Sequence, residues 1–375
     1  MNTTKTSLPI MELGSTYVRL AIFSNLIPNQ NLYFEEKFDF TRDAQDVNQK
    51  IFNLITNAEK KLGNHLNEIL MLIDSSTVNS LDYTIRKNYD KKLITSQDID
   101  YLINESKKII KINNKEKEIL HIIKSKLIFD GEVIENLEKI SKNVNKITLE
   151  LKFIMVNKTV CEKIKNLFFE KHITLKEIFC TSLIKSLGLI EKLNISGYSS
   201  FIDIGLKKSC LTIFWDNKLL YLNNIHIGGD HVTKDISKIL KIDYRIAEAH
   251  KIKFSKNVGN KENNLLKDII NARLEEIVEL LFLKCPLIEN KKLNSDLNLY
   301  FIGNGSKVLN ENLLSFGSEF NFINEMSIID ENKHDVLESA IKFVKRVEKI
   351  QPKNSILNLE NKGFFEKFFE YFSRK

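Results

Sequence analysis

Phe201 to Lys238 reads FIDIGLKKSCLTIFWDNKLLYLNNIHIGGDHVTKDISK, and its layout decides the fold. Phe201-Ile202-Asp203-Ile204-Gly205 is a short apolar strand with one carboxylate, and Leu211 to Trp215 is a second strand of β-branched and aromatic residues. Asp216-Asn217-Lys218 has turn chemistry, and Leu219 to Ile227 returns as a third strand. Gly228-Gly229 then leads into a helix opened by Asp230 and running to Leu240. A carboxylate at a strand end beside a glycine turn suits a hydrated Mg2+ and a phosphate. A Gly-Gly helix start lets backbone approach a nucleotide.

Other stretches fall into line with this one. Ile10 to Val18, IMELGSTYV, is a strand and turn with an acidic residue, Glu12, two before Gly14. Ile246 to Lys253, IAEAHKIK, is helical, and Leu299 to Ser306, LYFIGNGS, is a strand followed by a glycine turn. In this order the pieces resemble the two phosphate hairpins and the adenosine motif of the actin/Hsp70/hexokinase superfamily, and within it the FtsA family of bacterial cell-division proteins. The resemblance implies an α/β, actin-like ATPase fold in which two ribonuclease H-like half domains flank a nucleotide cleft, with an FtsA-type 1C insertion.

The pattern along the rest of the chain agrees. Residues 8 to 40 read as strand, turn, strand and strand, Asp46 to Leu62 as an amphipathic helix, and Asn67 to Ile73 as a buried strand. That is the β-β-β-α-β order of a half domain, and it recurs with strands at 201, 211 and 219, the helix from Asp230, and a closing strand at 299. The expected divisions are 1–74 and 155–195 for subdomain 1A, interrupted by 1C at 75–154. Subdomain 2A follows at 196–240 and 286–334, with a reduced, helical 2B at 241–285. Within 1C, Thr95 caps a helix through Ile110, and strands lie near Glu118 to Phe129 and Ile147 to Met155. The helix at 335–350 closes the fold, 351–362 is a linker, and 363–375 is a separate tail.

Composition narrows the function classes. With 375 residues, 43% hydrophobic, 4 Pro and 13 Gly, the chain is globular and long enough for two or more domains. Its net charge of +7 is spread among many Asn and Ile, without an Arg-rich block or a nucleic-acid-binding motif, so no nucleic-acid partner is expected. Cys161, Cys180, Cys210 and Cys285 lack metal-ligand spacing, and reduced thiols in a cytosol are the expectation. Neither a signal peptide nor an apolar run of the roughly 18 residues needed to span a bilayer is seen.

The resemblance assigns site residues. Asp203 and Glu12 would be the catalytic acids, with Asp203 holding Mg2+ through water; for Asp203 the alternative is a turn-capping carboxylate. Gly14, Ser15, Thr16 and Gly205 would face the phosphates, with Gly228 and Gly229 behind them. Glu248 and Lys251 either reach the ribose or form an intrahelical ion pair, and Gly303, Asn304 and Gly305 form the adenosine turn. The family's Gly-Gly-Thr is replaced here by Leu206-Lys207-Lys208, and an acidic family position by Cys210. Lys207 and Lys208 either neutralise phosphates or point into solvent. At most a weak ATPase is expected, with ATP and Mg2+ as cofactors.

The tail GFFEKFFEYFSRK reads as an amphipathic helix. At 100° per residue Phe364, Phe365, Phe368, Phe369 and Phe372 fall within an arc of about 140°, with Lys367 and Arg374 on the other side. The bland alternative is a helix docked on its own domain. By resemblance the chain would polymerise at the cytoplasmic face of the inner membrane at the division site and anchor FtsZ there. It would bind anionic lipid through the tail and recruit other divisome proteins to the septum. A degenerate pseudo-ATPase adaptor, a superfamily kinase and a pilus-assembly relative such as PilM are the alternatives.

Overall fold

The computed structural model describes residues 7–24, 31–38, 44–134, 143–256, 264–283, 285–289, 297–309 and 320–349. The chain divides into two compact units, Met1–Ile184 with Val336–Lys375, and Lys185–Asp335.

The first unit is built on β1 (Ser7–Leu13), β2 (Tyr17–Ser24) and β3 (Leu32–Lys37), followed by α1 (Ala44–Leu62) and β4 (Glu68–Ile73). Ile51, Leu54, Ile55 and Ala58 recur at helical spacing and are all buried, so α1 lays one apolar stripe on the sheet. β4 is buried from Ile69 to Ile73 because it sits inside the sheet with parallel neighbours on both sides.

The chain then leaves this sheet for β5 (Asn79–Leu93), α2 (Ser96–Asn113), β6 (Lys117–Phe129), β7 (Glu132–Val133) and β8 (Asn143–Asn157). These strands form their own antiparallel sheet, ordered β5-β8-β6-β7, with a separate core around Leu102, Ile122, Leu149 and Phe153. Asp98 starts α2 by accepting the Thr95 N–H at 3.0 Å. The strand β5 was not expected. Its sequence, NSLDYTIRKNYDKKL, is polar because it is an edge strand with much of its surface exposed.

The chain returns through α3 (Lys158–Phe169), β9 (Thr174–Cys180) and α4 (Thr181–Leu193). His121 of β6 ties the inserted sheet to β9: its Nε2 accepts the Cys180 N–H at 2.9 Å, and its ring stacks on Phe179 at 5.8 Å. Burial lowers its pKa to about 3, so it is neutral, as an acceptor nitrogen must be.

The second unit contains β10 (Tyr198–Ile204), β11 (Ser209–Trp215), β12 (Lys218–Ile225), α5 (Gly229–Leu240), α6 (Tyr244–Lys256), α7 (Asn264–Phe282), α8 (Pro286–Glu289), β13 (Leu297–Ile302) and β14 (Ile323–Ile328). The β11–β12 hairpin turns through Asp216 and Asn217, both at positive φ (43° and 67°), a conformation that Asn and Asp tolerate better than most residues. α7 buries Ile269, Ile270, Leu274, Ile277, Val278 and Leu281 in the unit's core. Among the described residues of 241–285 there are helices and no strand. A last helix, α9 (Asp335–Lys349), packs in the first unit, where Phe343 meets Phe179 edge to face at 5.9 Å.

The two central sheets share one topology. The first is ordered β3-β2-β1-β4-β9 and the second β12-β11-β10-β13-β14. In each, three antiparallel strands are followed by two that add in parallel. This duplicated mixed α/β sheet is the expected architecture, with β14 as a strand the sequence pattern did not reveal.

Candidate functional site

In the second unit the residues at the end of β10 converge with the start of α5 and the end of β13. The β10–β11 turn closes with the Gly205 N–H donating to the Lys208 carbonyl at 2.9 Å. The first two N–H groups of α5 are directed into this turn: Gly229 donates to Gly205 O at 2.9 Å and Asp230 to Leu206 O at 2.8 Å. A helix start ordinarily offers these donors to water or an anion. Here hairpin carbonyls take both.

That docking explains Gly228. A Cβ there would lie 2.5 Å from Gly205 O and 2.8 Å from both Leu206 O and Lys208 N, inside any allowed contact. The same addition at Gly229 meets nothing closer than 3.7 Å. Both glycines are buried, so the missing side chain at 228 admits the hairpin's own backbone. Gly303 (φ +85°) and Gly305 do the same for β10: their Cβ atoms would come within 2.3 Å of Asp203 Oδ1 and 2.5 Å of Ile204 Cγ2. Asn304 between them is exposed. Of the two hairpin lysines, Lys207 is exposed and Lys208 is buried. Cys210 is buried as well.

Glu248 and Lys251 of α6 form the intrahelical pair, at 2.6 Å. The Lys251 ammonium also donates to Gly229 O at 2.9 Å and to Thr233 Oγ1 at 2.7 Å, and Thr233 contacts Glu248 in turn. Three donors meet three acceptors, and α6 is thereby bolted to the first turn of α5. Beside it, burial would raise the Asp230 carboxyl, but hydrogen bonds from Lys234 and Tyr244 overcome this and hold it below its usual range.

Asp203 is held by a residue the sequence gave no reason to single out. Lys185, on α4, places Nζ 3.2 Å from Asp203 Oδ1 and 3.3 Å from Oδ2, and 3.2 Å from Glu331 Oε2. Glu331 also accepts the Gly303 N–H at 2.7 Å, which links the cluster to the β13 turn. A hydrated Mg2+ demands near-octahedral oxygen coordination and several waters. The Asp203 carboxylate, both oxygens engaged by an ammonium and one face walled by Gly303, does not fit it.

The first unit shows a parallel arrangement around Glu12. Gly14 N–H donates to Tyr17 O at 3.0 Å and closes the β1–β2 turn that carries Ser15 and Thr16, all three partly exposed. Glu12 pairs across the strands with Arg19 at 3.1 Å, and Arg19 with Glu35 at 2.6 Å. Burial opposes the Arg19 charge, yet the two carboxylates raise its pKa. Arg19, Lys185, Thr233 and Glu331 escaped the sequence reading. Only Arg19 left a trace, as the residue opposite Glu12 once the hairpin register is drawn. The tail at 363–375, with Phe364, Phe365, Phe368, Phe369, Phe372, Lys367 and Arg374, lies outside the described residues. No helix among the described residues is long and apolar enough to cross a membrane.

The family model described as cell division protein FtsA matches residues 200–280, from β10 through α7. Over this segment the chain is similar to FtsA. FtsA of Streptococcus pneumoniae is 22% identical over 256 residues, covering 61% of this chain and 54% of that protein. FtsA of Enterococcus hirae is 24% identical over 263 residues, covering 63% and 58%. The FtsA-like chain thus spans somewhat over half the length of these curated relatives. Its fold is that of actin-like proteins. A chain of a PilM–PilN type IV pilus biogenesis complex aligns with a TM-score of 0.59 at 12% identity, covering 90% of both chains. MreB5 of Spiroplasma citri bound to ADP aligns at 0.50 and 13%, covering 91% of this chain and 98% of the other. The FtsA match covers the hairpin, the Gly-Gly helix start and the Glu248–Lys251 helix.

Proposed function

We propose that this FtsA-like chain is a nucleotide-binding protein of bacterial cell division that forms polymers on the inner face of the cytoplasmic membrane and tethers the FtsZ ring there. The observation that carries the proposal is the FtsA match over 200–280, because it falls on the segment that would meet a nucleotide. The ADP in the MreB5 relative of like fold supports ATP as the ligand. Within the second unit the exposed Lys207 and Asn304, the latter in the Gly303–Gly305 turn, are the groups that would meet phosphate and adenosine. The inserted sheet of 79–157 would make contacts between protomers, and the tail would bind anionic lipid. Each contact adds little alone, and polymerisation multiplies the tails into firm attachment. Hydrolysis is weak or absent.

A second reading, an adaptor of the same fold that takes no ATP, is favoured by the ion pairs on Glu12 and Asp203. Two measurements decide. Calorimetric titration with ATP separates the readings, and binding of purified FtsZ in the presence of anionic liposomes tests both. Absence of FtsZ binding with and without liposomes would overturn the division-ring role.

A further inference from the structure

We infer that Lys185 is the resident cation of the second unit's site, standing where a divalent ion would pair with Asp203, so that this unit takes its anionic ligand without a metal. The ligand part rests on the nucleotide-binding reading above; the cation part does not.

The ammonium is placed before any ligand arrives. Ser186 Oγ and Thr212 Oγ1 lie 2.8 Å apart and fasten α4 to β11, while Lys192 of the same helix pairs with Asp335 at 3.0 Å. Next to the first of these anchors Lys185 meets Asp203 and Glu331, and the three side chains are only 14%, 8% and 14% exposed. One ammonium between two carboxylates leaves the cluster with one net negative charge. A divalent ion at Asp203 would have to sit beside that ammonium, where like charges a few ångströms apart in a poorly solvated place repel strongly. Displacing Lys185 would strip Asp203 and Glu331 of their shared partner and leave a long cationic side chain half-buried. The neighbouring glycine turn offers no extra room, since Gly303 already packs against Asp203 Oδ1. The same solution occurs independently in the first unit, where Arg19 fills the corresponding role for Glu12. Each half of the duplicated fold carries a carboxylate on its first strand, and each neutralises it with a side chain.

The test compares the full chain with Lys185→Met, Lys185→Arg and the double variant Lys185→Met/Glu331→Gln, which restores the cluster's net charge if the single variant fails to fold. Mn2+ binding is followed by electron paramagnetic resonance, and ATP binding by calorimetry in Mg2+ or in EDTA. We expect the unmodified chain and Lys185→Arg to show no Mn2+ site, and their ATP affinities in EDTA and Mg2+ to agree within about threefold. Removing the ammonium should create a Mn2+ site and make ATP binding at least about tenfold tighter in Mg2+ than in EDTA. Mn2+ binding by the unmodified chain that Asp203→Asn abolishes would overturn the inference, and so would an ATP affinity that falls about tenfold or more in EDTA. If no ATP binds under either condition, the nucleotide reading fails and the Mn2+ results decide alone. A Mn2+ site gained on losing Lys185 supports its role as resident cation, and no gain in either the single or the double variant refutes it.

Discussion

Gly228→Ala and Gly229→Ala alter neighbouring residues and should move stability in opposite directions. Gly228 has an extended backbone (φ −159°), so alanine can adopt its conformation and the whole effect is steric. The new methyl would meet three backbone atoms of the Gly205–Lys208 hairpin at 2.5 to 2.8 Å, and backbone cannot rotate away as a side chain would. Hairpin and helix must separate, which stretches the 2.9 Å and 2.8 Å bonds from Gly229 and Asp230. Overpacking costs about 1–3 kcal/mol and each weakened hydrogen bond up to about 1 kcal/mol, for an expected loss of about 2–4 kcal/mol. Gly229→Ala meets only ordinary contacts, and by restricting the unfolded chain it should add about 0.4–1 kcal/mol. Urea unfolding followed by fluorescence of Trp215 measures both. It is the chain's single Trp, at the end of β11 and 4.4 Å from Tyr198 by ring centroids, so it reports the second unit. With a slope of about 2 kcal/mol/M, the Gly228→Ala midpoint should fall by about 1–2 M. A midpoint unchanged from the parent, or equal losses in the two variants, would show that the glycine pair is not there to admit the hairpin.

Three further outcomes follow from other parts of the molecule. Lys251→Met should cost about 3 kcal/mol, because it leaves Glu248 part-buried without its cation, and Glu248→Gln in the same background should recover part of that loss; urea midpoints of the two variants check it. His121, with a folded pKa of about 3 against an ordinary 6.5, binds its proton in the unfolded chain but not in the folded one. Its share of stability is therefore complete above pH 6.5 and declines as pH falls towards 3, by up to about 1.4 kcal/mol per pH unit, and His121→Gln should flatten the pH dependence of unfolding between those limits. Truncation after Asn361, or Phe368→Glu with Phe369→Glu, should abolish co-sedimentation with anionic liposomes, and equal pelleting of all three proteins would remove the tail from membrane attachment.

The sequence by itself determined the elements whose side chains report their own surroundings. The strand–hairpin–helix pattern of 201–240 is local: alternation, turn residues and a helical stripe each lie within a few positions of one another, so the repeat in 8–73 was also legible. β5 was not: Leu81, Tyr83 and Ile85 alternate with Asp82, Thr84 and Arg86, but from Arg86 to Leu93 this edge strand is polar and largely exposed, which hides a 15-residue strand behind a short apolar signal.

The site divides in the same way. Asp203, Gly205, Gly228, Gly303 and Gly305 stand out as residue types at strand ends, and the structure brings them together. What they do there was decided only by the tertiary fold. A glycine in a sequence says that a Cβ is not wanted, not whether a ligand or the chain's own backbone takes its place, and at Gly228 it is the hairpin. Likewise a carboxylate announces a need for positive charge but not its source. Lys185 and Glu331 are 146 positions apart, and nothing within either neighbourhood marks them as partners of Asp203. Only the packing of α4 and the β13 turn around the end of β10 supplies that cation, because contact between distant segments depends on the whole fold and leaves no period or spacing in the chain.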